Sequence, residues 1–213
     1  MSAPLHSLIS GEAYMLHRKS LPLLLLLIPV LTACADSSAA ARMQLAQMNI
    51  PFTENDFIDN ARQGNSAAVT LFIDAGMSLE ARDRVGQTPL MAATLADQIE
   101  TVRLLLARKA NPNAHDKYGG TALMTAAWKG NDEIVLSLLA SGVDLNAKAN
   151  NGMTALMFAA WENHIEISRV LLEKGADPDL RDREGWTALM RADFKGHKET
   201  VSILTEPQTH DAQ

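Results

Sequence analysis

Three sets of residues in this chain have the types and spacing for chemistry. Cys34 is the only cysteine, a lone thiol that can act as a nucleophile or a ligand, and it closes an apolar run at Leu31-Thr32-Ala33. His164 and His197 stand 33 residues apart, and two imidazoles brought side by side are the start of a metal site. Glu100, Glu133, Glu166 and Glu199 keep the same interval, and paired carboxylates can do acid–base work. None of the sets is completed by the rest of the sequence. No further ligand keeps step with the histidines, and one carboxylate per interval is expected of solvated helix starts. The chain lacks a phosphate loop, a zinc-protease helix motif and a nucleophile elbow. The expectation is therefore no enzyme, no cofactor and no metal, with a structural role for both histidines.

The interval itself says more than any of these residues. Gly86-Gln87-Thr88-Pro89-Leu90-Met91 returns as Gly119-Gly120-Thr121-Ala122-Leu123-Met124, Gly152-Met153-Thr154-Ala155-Leu156-Met157 and Gly185-Trp186-Thr187-Ala188-Leu189-Met190. A fixed period of this size means stacked supersecondary units. In the unit 85–117, Asp83-Arg84-Val85-Gly86 has the composition of a tight turn. Thr88 is placed to cap a helix that Pro89 opens. A second helix carries Ile99, Val102, Leu105 and Leu106 on one face, and Asn111-Pro112-Asn113 ends it. Methionine at 91, 124, 157 and 190 is expected to fill space between units rather than bind metal.

The repeats resemble ankyrin repeats, through the glycine-to-methionine phrase, Lys129-Gly130-Asn131-Asp132-Glu133-Ile134-Val135, Leu138-Leu139-Ala140-Ser141-Gly142 and Lys174-Gly175-Ala176-Asp177-Pro178-Asp179. Met replaces the family's histidine in the phrase, and Ala replaces its proline in three units. The resemblance implies an all-α solenoid of about five helix-turn-helix units joined by β-turn loops, over 53–84, 85–117, 118–150, 151–183 and 184–206, with 207–213 as a tail. The first and last units are expected as caps whose Asp59, Asn60, Arg191 and Asp193 face water. It also implies a structural role for His164 and His197 ahead of the second helices of their units, and a concave groove faced by the residues that follow the small pair of each first helix. Those residues are Leu95, Trp128 with Lys129, Trp161 with Glu162, and Phe194. Tyr118, Met153 and Trp186 would add turn tips along the same edge. Two readings of the rings are open at this stage: they patch gaps between repeats, or they form a strip for a protein partner, since Trp and Tyr dominate interface hot spots.

Ahead of the repeats, His17-Arg18-Lys19 precedes an apolar run from Leu21 to Leu31. That run is too short for a bilayer span, which needs about 20 residues, and has the layout of a secretory signal. Leu31-Thr32-Ala33-Cys34 resembles the bacterial lipobox, which implies cleavage before Cys34 and a lipid on its sulfur. Residues 1–33 are thus expected as a signal peptide and 34–52 as a lipidated tether, part of it helical around Arg42 to Met48. A leader starting at Met15 would leave 1–14 upstream of the true start. The implied location is the bacterial cell envelope, facing the periplasm. Ala35 rather than Asp follows the cysteine, which favours the outer membrane over the inner. An ordinary cleaved signal, or an uncleaved anchor on a cytosolic-type scaffold, are the alternatives.

Charge narrows the partner. The chain has 19 basic and 25 acidic residues; the leader holds Arg18, Lys19 and Glu12, which leaves 17 against 24, net −7. An acidic protein is a poor match for nucleic acid and for anionic headgroups, so only the N-terminal lipid is expected to touch a membrane. The partner expected is another protein, with an inhibitor, immunity or accessory role at the envelope. A glycan or peptidoglycan binder is the alternative, because aromatic rows also stack on sugars.

Overall fold

The computed structural model describes residues 37–206; the expected signal peptide 1–33, Cys34 and the expected tail 207–213 lie outside them. Among the described residues there are eleven helices and no strand. They are α1 (Ser37–Gln47), α2 (Glu54–Arg62), α3 (Ser66–Asp74), α4 (Pro89–Leu95), α5 (Ile99–Ala107), α6 (Ala122–Lys129), α7 (Asp132–Leu139), α8 (Ala155–Trp161), α9 (Ile165–Glu173), α10 (Ala188–Lys195) and α11 (Lys198–Thr205). The helices α2, α4, α6, α8 and α10 stack as an inner layer, and α3, α5, α7, α9 and α11 as an outer one. The all-α repeat solenoid expected from the period is the fold observed.

The repeated threonine starts each inner helix. Thr88, Thr121, Thr154 and Thr187 have extended backbones, and each hydroxyl accepts from the N–H three residues on, at 3.3–3.4 Å. After the inner helix the chain passes through a left-handed residue at Asp97, Gly130, Asn163 and Gly196, the residue types that adopt that conformation most readily. Alanine makes the layers close. Ala93, Ala126, Ala159 and Ala192 are completely buried. Met91, Met124 and Met157 are buried as well, whereas Met190 in the last described repeat is 43% exposed.

The turns form a row of fingers. In each, the backbone closes twice, as in Asp116 N–H to Gly120 O at 3.0 Å and Gly119 N–H to Asp116 O at 3.0 Å. One further bond joins each finger to the next: Lys117 N–H to Val85 O at 3.0 Å, Asn150 N–H to Tyr118 O at 2.8 Å and Arg183 N–H to Asn151 O at 3.0 Å.

The N-terminal end corrects two expectations. Residues 37–52 are not a free tether. α1 packs on α3 and extends the outer layer by one helix, with Leu45 completely buried. Ser38 Oγ and Arg42 both donate to Ala75 O, at 3.0 and 3.2 Å. Phe52 then stacks on Phe72, 5.7 Å between centroids. This half-unit covers the side of the first repeat that was expected to be wet. Asn60 is accordingly buried, donating to Asp56 O at 2.8 Å, while Asp59 stays exposed. At the far end Asp193 is exposed as expected but Arg191 is not.

Candidate functional site

The groove runs between the fingers and the C-terminal halves of the inner helices. The solenoid places the aromatic row on it, but not as one uniform strip. Trp128 is 49% exposed and Phe194 and Tyr118 are each 68% exposed, so these three rings are presented to solvent. Leu95, Trp161 and Trp186 are half-buried.

Trp128 and Glu162 are brought together: the indole Nε1–H donates to Glu162 Oε1 at 3.2 Å. Beside them lies a cleft of about 350 Å³ whose wall includes Tyr118, Met124, Thr125, Trp128, Asn150 and Phe158. Phe158 and Thr125 share one position in consecutive repeats, a turn of helix before the expected row. An aromatic among the alanines of α8 was the signal for it.

The last repeats carry a denser arrangement. Phe194 stacks on Trp161 at 6.2 Å and 11°, and meets Trp186 edge-on at 5.2 Å and 81°. The Arg191 guanidinium lies 5.4 Å from the Trp161 ring and 5.3 Å from Trp186, and Lys195 Nζ is 4.6 Å from Trp161. Arg191 occupies the position of Phe158, so it lines the groove instead of capping the solenoid. Beneath it, Asp182 is buried. Burial pushes its carboxyl up, but the Trp186 N–H, Arg191 and the Glu184 N–H outweigh this and hold it below the usual carboxylate value.

Two expected groove residues are placed elsewhere. Met153 is only 8% exposed and packs into the core; it sits two residues past the tip, where the chain turns back toward α8. The actual tips are Val85, Tyr118, Asn151 and Glu184. Lys129 is turned away from the rim. It donates to Leu95 O at 2.8 Å and pairs with Asp97 at 2.8 Å, which satisfies a carbonyl at the end of α4.

The histidines have defined partners. His164 Nε2–H donates to Trp128 O and His197 Nε2–H to Trp161 O, each at 3.0 Å. Each ring thus ties the end of one inner helix to the next repeat. Of the glutamate ladder, Glu100 and Glu133 share Arg103 at 3.3 and 3.0 Å, and Glu166 pairs with Arg169 at 3.7 Å. Among the described residues no group of three or more His, Cys, Asp or Glu is placed to hold a metal ion.

A family model described as ankyrin repeats (3 copies) matches residues 57–149 and 137–213. The match spans well over half of the chain, which therefore belongs to the ankyrin repeat family. Ankyrin repeats are protein–protein interaction modules and are generally not enzymes. No curated protein matches the chain.

Proposed function

We propose that this chain is a lipid-anchored protein of the bacterial envelope that grips another protein in its concave groove, as an inhibitor, immunity partner or accessory factor. The observation that carries the groove is the exposure of Trp128 and Tyr118 beside a cleft of about 350 Å³. A large exposed ring next to an apolar recess is the arrangement that anchors a partner side chain. The glycan reading fits less well, because the Trp161 ring is already engaged by Phe194, Arg191 and Lys195.

The anchor is supported by Leu31-Thr32-Ala33-Cys34, and a periplasm-facing outer-membrane site by Ala35. α1 begins only three residues after Cys34, so a lipid there would hold the start of α1 within about 10 Å of the acylated residue.

Two measurements test the proposal. Labelling with a fatty-acid analogue in a bacterial host should mark the wild type and not Cys34→Ala; an unlabelled wild type removes the anchor. A photo-crosslinker at Tyr118 should give one discrete adduct in intact envelopes, absent when the crosslinker stands at Leu136, which is also exposed but lies on outer helix α7. Identical adducts at both positions would remove the groove.

A further inference from the structure

The fingers carry a second ladder, at Arg82-Asp83-Arg84, His115-Asp116-Lys117, Lys148-Ala149-Asn150 and Arg181-Asp182-Arg183. Formal charges in these segments partly cancel, but the two signs point in opposite directions. The central aspartates turn inward. Asp83 Oδ1 accepts from the N–H groups of Val85 and Gln87 at 3.0 and 2.9 Å, and Asp116 Oδ1 from Tyr118 and Gly120 at 2.8 Å each. Asp182 Oδ1 does the same with Glu184 and Trp186, both at 2.9 Å. The flanking cations Arg82, Arg84, Lys117, Lys148, Arg181 and Arg183 are all exposed.

None of these six makes an ion pair among the described residues, whereas Arg62, Arg103 and Arg169 on the helices and Arg108 at the end of α5 all do. Their hydrogen bonds go to neutral carbonyls: Arg82 to His115 O at 2.6 Å, Lys117 to Arg84 O at 2.5 Å, Lys148 to Arg181 O at 3.0 Å and Arg181 to Gly185 O at 2.7 Å. Arg84 and Arg183 make no side-chain hydrogen bond there. A carbonyl satisfies a donor but leaves the positive charge uncompensated. Of the finger-tip residues only Glu184 is acidic, and it is held by Arg191 at 3.1 Å. A protein with formal net charge −6 therefore presents one edge of unpaired cations beside the groove.

We infer that this edge takes an extended, carboxylate-rich segment of the partner protein. The inference rests on the groove reading above and adds the chemistry of what is bound. Stacked units repeat at roughly 10 Å, and an extended chain rises about 3.3 Å per residue. Carboxylates about three residues apart then meet successive fingers. Complementary charge of this kind sets orientation and speeds encounter.

The test uses the full chain in a mild non-ionic detergent and three fluorescein-labelled probes: a Glu-Gly-Ser repeat peptide, its Gln-Gly-Ser counterpart and an oligothymidylate of equal charge. The Glu peptide should bind at low salt and weaken as salt rises. Arg84→Gln with Arg183→Gln, both free of structural bonds, should weaken it about fivefold, the scale of two exposed charge contacts. Arg103→Gln with Arg169→Gln on the outer helices should change nothing. Equal loss in that control, equal binding of the Gln peptide, or tighter binding of the oligothymidylate would each overturn the inference. If the Tyr118 adduct forms unchanged in the Arg84→Gln, Arg183→Gln protein at high salt, the groove stands and the acidic partner falls.

Discussion

Arg191 and Asp182 form a buried ion pair that joins the last finger to the last inner helix. Arg191 Nε donates to Asp182 Oδ2 at 2.8 Å, and its terminal nitrogen reaches the same oxygen. The Asp182 side chain is fully enclosed and Arg191 is 12% exposed. The same guanidinium lies over Trp161 and Trp186. One side chain thereby connects a turn carboxylate to tryptophans from two repeats.

Removing either partner strands the other. Arg191→Met should cost about 3 kcal/mol in a urea melt, the usual scale for breaking a buried pair. The Asp182 carboxyl is held below its ordinary value in the folded state. Its stabilising effect is therefore complete above the unfolded value, near pH 4, and is lost as pH falls through the lower folded value. Asp182→Asn should lower stability at neutral pH and shrink the further loss seen on acidification. An acid limb as steep as in the wild type would show that Asp182 does not contribute to it.

The finger row predicts an asymmetry between two glycines that look alike in sequence. Gly152 and Gly185 both have positive φ, +84° and +81°. A Cβ on Gly152 would meet Arg183 N at 2.7 Å and Asp182 Cα at 2.9 Å, backbone atoms of the next finger, whereas one on Gly185 meets nothing. Gly185→Ala should cost about 1 kcal/mol, the left-handed penalty alone. Gly152→Ala should cost clearly more, because two fingers must part. Equal melting temperatures for the two variants would contradict the stacking direction.

The helix at the N-terminal end makes a third prediction. Leu45 is completely buried between α1 and the first repeat. Leu45→Ala should destabilise the protein by about 2–5 kcal/mol, where the same change in a loose tether would do nothing. Met43→Ala, on the exposed side of α1, is the control and should be near neutral. A neutral Leu45→Ala would return 37–52 to a tether.

These contrasts mark what was legible in the sequence. Period, caps and apolar faces were, because they are local and repeat: Thr88, Thr121, Thr154 and Thr187 all cap as their spacing implies. The helix of α1 was legible around Arg42 to Met48, but its packing on the first repeat was not, since Ser37 to Gln47 keeps no step with the repeats and its large apolar anchor is the single residue Leu45. Met153 and Trp186 share one position, yet the first packs into the core and the second borders the groove. The difference is set by neighbours, Phe194 above all, which no spacing reveals. Arg191 read as a solvent-facing cap because its partner Asp182 lies in another element. The finger cations were visible one at a time but gained meaning only when their hydrogen bonds were seen to end on carbonyls.

Trp128 and Trp161 occupy equivalent positions in consecutive repeats, yet they are expected to behave differently. Trp128 keeps about half its surface and one bond, to Glu162. Trp128→Ala should therefore lower stability by only about 1 kcal/mol. Trp161 is packed by Phe194 and lies under Arg191 and Lys195, so Trp161→Ala removes stacking and cation–π contacts together and should cost about 3 kcal/mol. Binding should follow the reverse order. Trp128, beside the open cleft, is the ring available to a partner, and its loss should weaken binding by about 2 kcal/mol, roughly 30-fold. Trp161→Ala should weaken it less per folded molecule. A melt and a titration on each variant separate the two effects. Full affinity in folded Trp128→Ala would place the interface away from the cleft.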